Sequence, residues 1–346
     1  VTDVSGAAGA TPADDATPRS GAPVLLTLSA LLLATIALSI LVGRYPRPYW
    51  LSPELLASDE MARNLVLGLR LPRLLVAVVL GAVLAGAGFT MQMVFRNPLI
   101  EPGFLGVSQG AAFGAALAIV LLGGSGPLVQ GLATLFALLG LGLTWLLSRA
   151  FRFGGHTLRL ILSGIAVSAL FSSGVGVLKF MADPLRQLPD ITFWLLGGLW
   201  GVTWKQLAWL LPVALPALLV LLLFRWRLNV ISLDDETAFA LGVSVRKERF
   251  LLLFVSVAAT AVVVSVAGMV GWIGLITPHL ARRLQGADAR RALPAALLLG
   301  ALLSLVCDDL ARTLIAGEIP LGILTSLLGT VVFAWLMVRQ SGRARA

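Results

Sequence analysis

Acidic and basic side chains are scarce in this sequence, so those set within apolar stretches are the candidates for chemistry. Asp308 and Asp309 precede Arg312, and Glu318 follows after a further six positions. Asp308 and Arg312, four apart, share one helix face and can pair. Charges at membrane depth serve as binding groups or proton relays; a structural pair near the interface is the competing reading. Of the two histidines, His156 and His279, the second follows Pro278. It has no histidine or cysteine at ligand spacing, which favours packing or capping over metal binding. The single cysteine, Cys307, excludes an internal disulfide framework and a cysteine metal site. No G-x-x-x-x-G-K-[ST] or H-E-x-x-H occurs, so no ATPase or metallohydrolase activity is expected, and no cofactor or metal.

The elements that must position these residues are membrane spans. Of 346 residues, 58% are apolar and 12% charged, with a mean hydropathy of +0.94; a soluble domain carries about 25% charge. The net charge of +9 is dispersed between apolar stretches and forms no continuous basic face. It therefore points to membrane topology and not to nucleic acid. A helix needs about 20 residues to cross the hydrocarbon core, so charge-free runs act as a ruler. They are 20–43, 74–95, 102–148, 160–178, 206–224, 250–281, 292–307 and 319–338.

Run 102–148 holds two spans, with Gly123-Gly124-Ser125-Gly126-Pro127 as the turn. Run 292–307 extends to Leu314. Run 250–281 would be about 48 Å long as one helix. It is broken by Gly268, Gly271, Gly274 and Pro278, and basic clusters flank both ends, so two spans are expected, the second short. The count is ten. Placing both termini in the cytoplasm puts 17 of the 26 Lys and Arg residues inside and nine outside. Outer arginines such as Arg70, Arg73 and Arg312 then need a cause. Residues 1–22 read as a disordered tail, 23–340 as the membrane domain, and 341–346 as a second tail.

Three other segments stand out. Small residues from Ala77 to Gly88 suit close helix packing. Residues 191–204, with Trp194, Trp200 and Trp204, are apolar but too short to cross; they form either an aromatic-belt anchor or a re-entrant lining of an outer mouth. In the polar loop 225–249, Ser232 and Asp235 have capping-box spacing, Asp234 to Glu236 would occupy a first turn, and Gly242 fits the C′ position. A second short helix is expected from Ser244 through Arg249. The loop is either a rigid knob for a partner's cleft or a solvated connector.

Several motifs then stand in order: Arg70-Leu71-Pro72-Arg73, Gly86-Ala87-Gly88, Gln92, Arg96-Asn97-Pro98-Leu99, Pro102-Gly103, Leu105-Gly106-Val107, Trp194-Leu195-Leu196-Gly197-Gly198, Leu241-Gly242, Gly274-Leu275-Ile276-Thr277-Pro278-His279, Asp309-Leu310-Ala311-Arg312 and Glu318-Ile319-Pro320-Leu321-Gly322. Over residues 60–338 the chain resembles FecCD/BtuC-like permease subunits of bacterial ABC importers for ferric siderophores, haem and vitamin B12. It departs from them at Trp272-Ile273, where Phe-Val or Phe-Ile is usual, and at Gly198, often Ser.

The resemblance implies an all-α subunit of ten transmembrane helices in the inner membrane, working as a homodimer with no chemistry of its own. Two ATP-binding cassette ATPases would sit inside and a periplasmic binding protein outside. Arg70, Arg73 and Arg312 would face acidic residues of the binding protein. Residues 228–249 would form coupling helices that enter the ATPases, with Ser232, Asp235, Glu236, Ala240, Leu241, Gly242 and Arg246 at the contact. From position along the chain, Met91, Gln92, Met181, Trp194 and Gly197 are expected along the translocation path. The cargo is expected to be a ferric siderophore or haem, with a corrinoid or molybdate as alternatives. The rival from another class is an ion-coupled secondary transporter using Asp308, Asp309 and Glu318 as a relay.

Overall fold

A computed structural model of the chain describes residues 22–45, 50–151, 155–315 and 317–343, and these form helices and connections with no strand among them. The expected tail over 1–22 lies outside the described residues except for Ala22, where α1 (Ala22–Leu41) begins. Two short helices follow, α2 (Pro53–Ser58) and α3 (Glu60–Leu65). A single π turn, Val66–Arg70, runs straight into α4 (Leu71–Phe95). A 3-10 turn at Pro102–Leu105 leads to α5 (Val107–Leu121), and the positive φ of Gly123 and Gly124 turns the chain into α6 (Gly126–Ala150). Next come α7 (His156–Met181), the short α8 (Gln187–Leu196) and α9 (Trp204–Leu223). Thr203 and Gln206 start α9 with a reciprocal capping box.

The polar loop folds into α10 (Arg225–Ile231) and α11 (Asp235–Ala240). The two helices expected from run 250–281 are α12 (Val245–Ala267) and α13 (Ile273–Gln285), parted at Gly268–Trp272. Then α14 (Ala289–Thr313) and α15 (Leu321–Arg343) complete the order. Among the described residues, seven helical stretches are long and apolar enough to cross a membrane. Two shorter apolar helices, α5 and α15, stand beside them, and the expected ten would also require the 13-residue α13.

Burial identifies the centre of the bundle. The apolar window of α4 is 78% buried, against 11% for α1. Helix α4 packs on α9, α12, α13 and α14. Its small residues explain the closeness. A Cβ on Gly81 would strike the Gly300 carbonyl, and one on Gly300 would strike that of Gly81. Likewise, a Cβ on Gly88 would enter the Gly274 carbonyl. Backbones at this separation gain dispersion contacts that larger residues would prevent.

Candidate functional sites at the two ends of the bundle

At one end, the C-termini of α1 and α14 meet the start of α4. The last carbonyls of a helix lack intrahelical donors, and guanidinium groups supply them here. Arg70 donates from Nη1 to the Ile40 carbonyl at 3.0 Å and from Nη2 to that of Tyr45 at 3.4 Å. Arg312 donates to the carbonyls of Ser39 at 2.6 Å and Val42 at 2.5 Å. Arg44 does the same for α14, reaching the Thr313 carbonyl at 2.9 Å. Positive charge also suits the negative end of a helix dipole.

The acids lie within this frame. Asp308 is fully buried and takes Arg73 in a two-pronged pair, with Nε and Nη2 each 2.9 Å from Oδ1. Arg73 also reaches Glu318 at 3.0 Å. Asp309 accepts the Ser39 hydroxyl at 2.5 Å and pairs with Arg312. The expected Asp308–Arg312 pair is therefore secondary at 3.8 Å, because Arg73 arrives from α4 with better geometry. The structure gathers Arg70, Arg73 and Arg312 at one place, as the pattern suggests, yet gives all three partners inside the chain. Arg70 and Arg312 are each only 8% exposed.

At the opposite end, α10 and α11 form a knob. Asp234, not Ser232, caps α11, accepting the Thr237 N–H at 2.9 Å. Ser232 instead closes α10, its hydroxyl donating to the Asn229 carbonyl. The carboxylate one position before the first helical residue had the better geometry. Gly242 does take the C′ position: its N–H meets the Phe239 carbonyl while Val243 N–H meets that of Ala238. The short helix expected from Ser244 to Arg249 is the first turn of α12, so α10 supplies the second element of the knob.

Asp235 ties that knob to two long helices. It accepts from Arg249 of α12 at 2.7 Å and from Arg96, just past α4, at 3.0 Å. The Arg249 hydrogen bond holds the Asp235 carboxyl below its ordinary range. Phe239 and Leu241 project outward, 77% and 60% exposed, with Glu236, Ala240 and Arg246 also exposed.

Between the ends, Gln92 on α4 donates to the Leu275 carbonyl at 3.2 Å and accepts from Arg282 of α13. His279 donates Nε2–H to the Pro98 carbonyl at 3.0 Å, the packing role its sequence setting favoured. Of the two methionines expected on the path, Met91 is fully buried in the core and Met181 is exposed. Trp194 is partly buried, and Gly197, at φ 69°, brings the end of α8 against the Met269 carbonyl. Sequence reasoning missed Glu101. It borders a cavity of about 350 Å³ with Ser108, Ser168 and Thr260, and accepts the Trp272 N–H at 3.3 Å. Its signal was an acid between Pro98 and Pro102 in an otherwise apolar region.

An all-helical bundle with seven long apolar helices, closely packed through glycines, defines a polytopic membrane protein. Residues 31–339 match the FecCD transport family, and the chain belongs to it. It is a permease of the ABC-importer kind. It is 38% identical to the molybdate import system permease MolB of Haemophilus influenzae, over 93% of this chain and 97% of that protein. Identity to the hemin transport permease HmuU of Yersinia pestis is 40%, over 92% of this chain and 93% of that one. A solved chain described as an inward-facing metal-chelate type ABC transporter superposes with a TM-score of 0.85 at 38% identity, covering 92% of this chain and 99% of that chain.

Proposed function

We propose that two copies of this chain form the path of an importer for an iron chelate, a ferric siderophore or haem, driven by two separate ATPase subunits. The knob of α10 and α11 lies in the cytoplasm and enters the ATPase surface; the arginine network faces a substrate-binding protein. Both termini are then cytoplasmic, and the chain crosses the inner membrane ten times.

The observation that carries this reading is Asp235. An exposed knob with outward Phe239 and Leu241 is linked through one carboxylate to both α4 and α12. A push on α11 therefore reaches the central helix directly, and alternating access follows as the packed helices rock. Docking at the other end proceeds by exchange. An acid of the binding protein replaces Glu318, the half-exposed partner of Arg73, while Asp308 keeps its place. Arg70 and Arg312 hold the frame and lend it positive charge.

The cargo assignment draws on the relatives together with the apolar exposed face of α7, where Leu162, Ile165, Leu170, Val177 and Met181 stand free. Such a face lets a bulky chelate pass without strong binding; corrinoid or molybdate is the alternative cargo. An ion relay has little support, because Asp308, Asp309 and Glu318 are neutralised by arginines at one end. The test is iron-limited growth of a deletion strain on haem or a ferric siderophore as sole iron source. Loss on one, restored by the gene, names the cargo; growth on both, with loss of cobalamin or molybdate uptake, assigns the alternative.

A further inference from the structure

Beside the knob, the end of α6 and the starts of α7 and α12 enclose a cavity of about 880 Å³. Its lining is graded along the helices. On α6, Arg149, Trp145 and Leu141 follow at intervals of four; on α12, Arg246, Phe250 and Phe254 do the same. Each series thus passes from cation to aromatic to apolar over about 12 Å of helix. Arg149 lies 3.8 Å above the Trp145 ring, Trp145 sits 6.3 Å from Phe250, and Phe250 stacks on Phe254 at 6.2 Å. Arg159, Lys247 and Arg249 complete the charged rim.

The rim has more donors than the chain uses. Among the described residues, Asp235 is the one acid on the lining, and it is already engaged by Arg249 and Arg96. The buried Nε atoms of Arg159 and Arg249 have no hydrogen-bond acceptor among the described residues. An occupant must therefore bring negative charge at the rim and hydrocarbon below it. A second copy of this chain would bring the same cations. An acidic protein from the water phase would meet the rim but leave the aromatic floor empty. Basic pockets between helices on the cytoplasmic side hold anionic lipid headgroups.

We propose that this cavity binds an anionic phospholipid, its phosphate among Arg149, Arg159, Arg246 and Lys247 and its acyl chains along Trp145, Phe250 and Phe254. Because the rim includes Arg249, the lipid abuts the Asp235 link and biases the position of α11. The site stands whatever the cargo is.

Acyl-brominated lipid quenches nearby tryptophan, so the full-length protein is reconstituted in phosphatidylcholine vesicles containing brominated phosphatidylglycerol or, in parallel, brominated phosphatidylcholine. The Trp145→Phe difference isolates Trp145 from the other tryptophans. Preferential quenching of Trp145 by phosphatidylglycerol is expected, with apparent affinity at least about tenfold weaker in the Arg149→Gln, Arg246→Gln, Lys247→Gln variant. Arg225→Gln, outside the cavity, should leave this quenching unchanged. The wild-type comparison of the two lipids stands even if the triple variant fails to fold. Equal quenching by both lipids overturns the proposal. So does displacement by glycerophosphate at matched phosphate concentration, which assigns a soluble anion, or by an added ATPase subunit, which assigns a protein occupant.

Discussion

Arg73 and Asp308, 235 positions apart in sequence, form a two-pronged ion pair in which the aspartate is fully buried. The pair clamps the start of α4 to the end of α14, two helices whose backbones also meet closely at Gly81 and Gly300. Removing one partner strands a buried charge, whereas removing both leaves an apolar gap that can be filled. Asp308→Ala should destabilise the fold by about 3–5 kcal/mol, and Arg73→Met with Asp308→Leu should recover most of that loss. Thermal unfolding in detergent reads both; an unchanged midpoint for Asp308→Ala would show the pair to be dispensable.

Freeing Arg73 from its second partner should have the opposite sign for docking. Glu318→Gln is expected to tighten association with the binding protein, and the double variant Arg73→Met with Asp308→Leu, which keeps the fold, to abolish it. Surface plasmon resonance against the cognate binding protein measures both. Weaker binding by Glu318→Gln would contradict the exchange of carboxylates.

Asp235 is 66% exposed on its side chain, so its ion pairs add at most about 1 kcal/mol to stability. Asp235→Ala should accordingly leave unfolding nearly unchanged yet reduce ATP-driven uptake about tenfold, the equivalent of 1.4 kcal/mol of coupling. Its carboxyl is held below the ordinary value of 3.8. A depressed folded value means the link is complete above that ordinary value and is lost only as pH falls through the lower folded one. Coupling should therefore be flat from about pH 8 to pH 5; a midpoint near pH 6 would assign the link to another group.

Glycine positions offer a contrast within one fold. Gly81→Val meets the Gly300 backbone and should prevent folding, whereas Gly142→Ala in α6 meets no atom within 4 Å. The latter should be neutral or stabilise by about 0.5–1 kcal/mol. Expression and unfolding of the two variants decide; equal tolerance would mean that α4 and α14 can separate.

Charge spacing together with glycine and proline breaks located the long helices, including the division of 250–281 into α12 and α13, because a charge-free run cannot exceed what a membrane accommodates. Side-chain pairing was less legible. Asp308 has a basic residue four positions away, and nothing local shows that Arg73 outcompetes it from another helix. Ser232 and Asp234 are both capping types, and the choice depended on where α10 ended. Glu101 escaped notice because its partner is the Trp272 backbone, which no side-chain pattern reveals.

The most direct measurement is uptake of haem or a ferric siderophore into liposomes carrying this chain, its ATPase subunits and the binding protein. Uptake that requires ATP hydrolysis and falls about tenfold with Asp235→Ala is the predicted result. Uptake by the chain alone, driven by an ion gradient and indifferent to Asp235, would contradict the account.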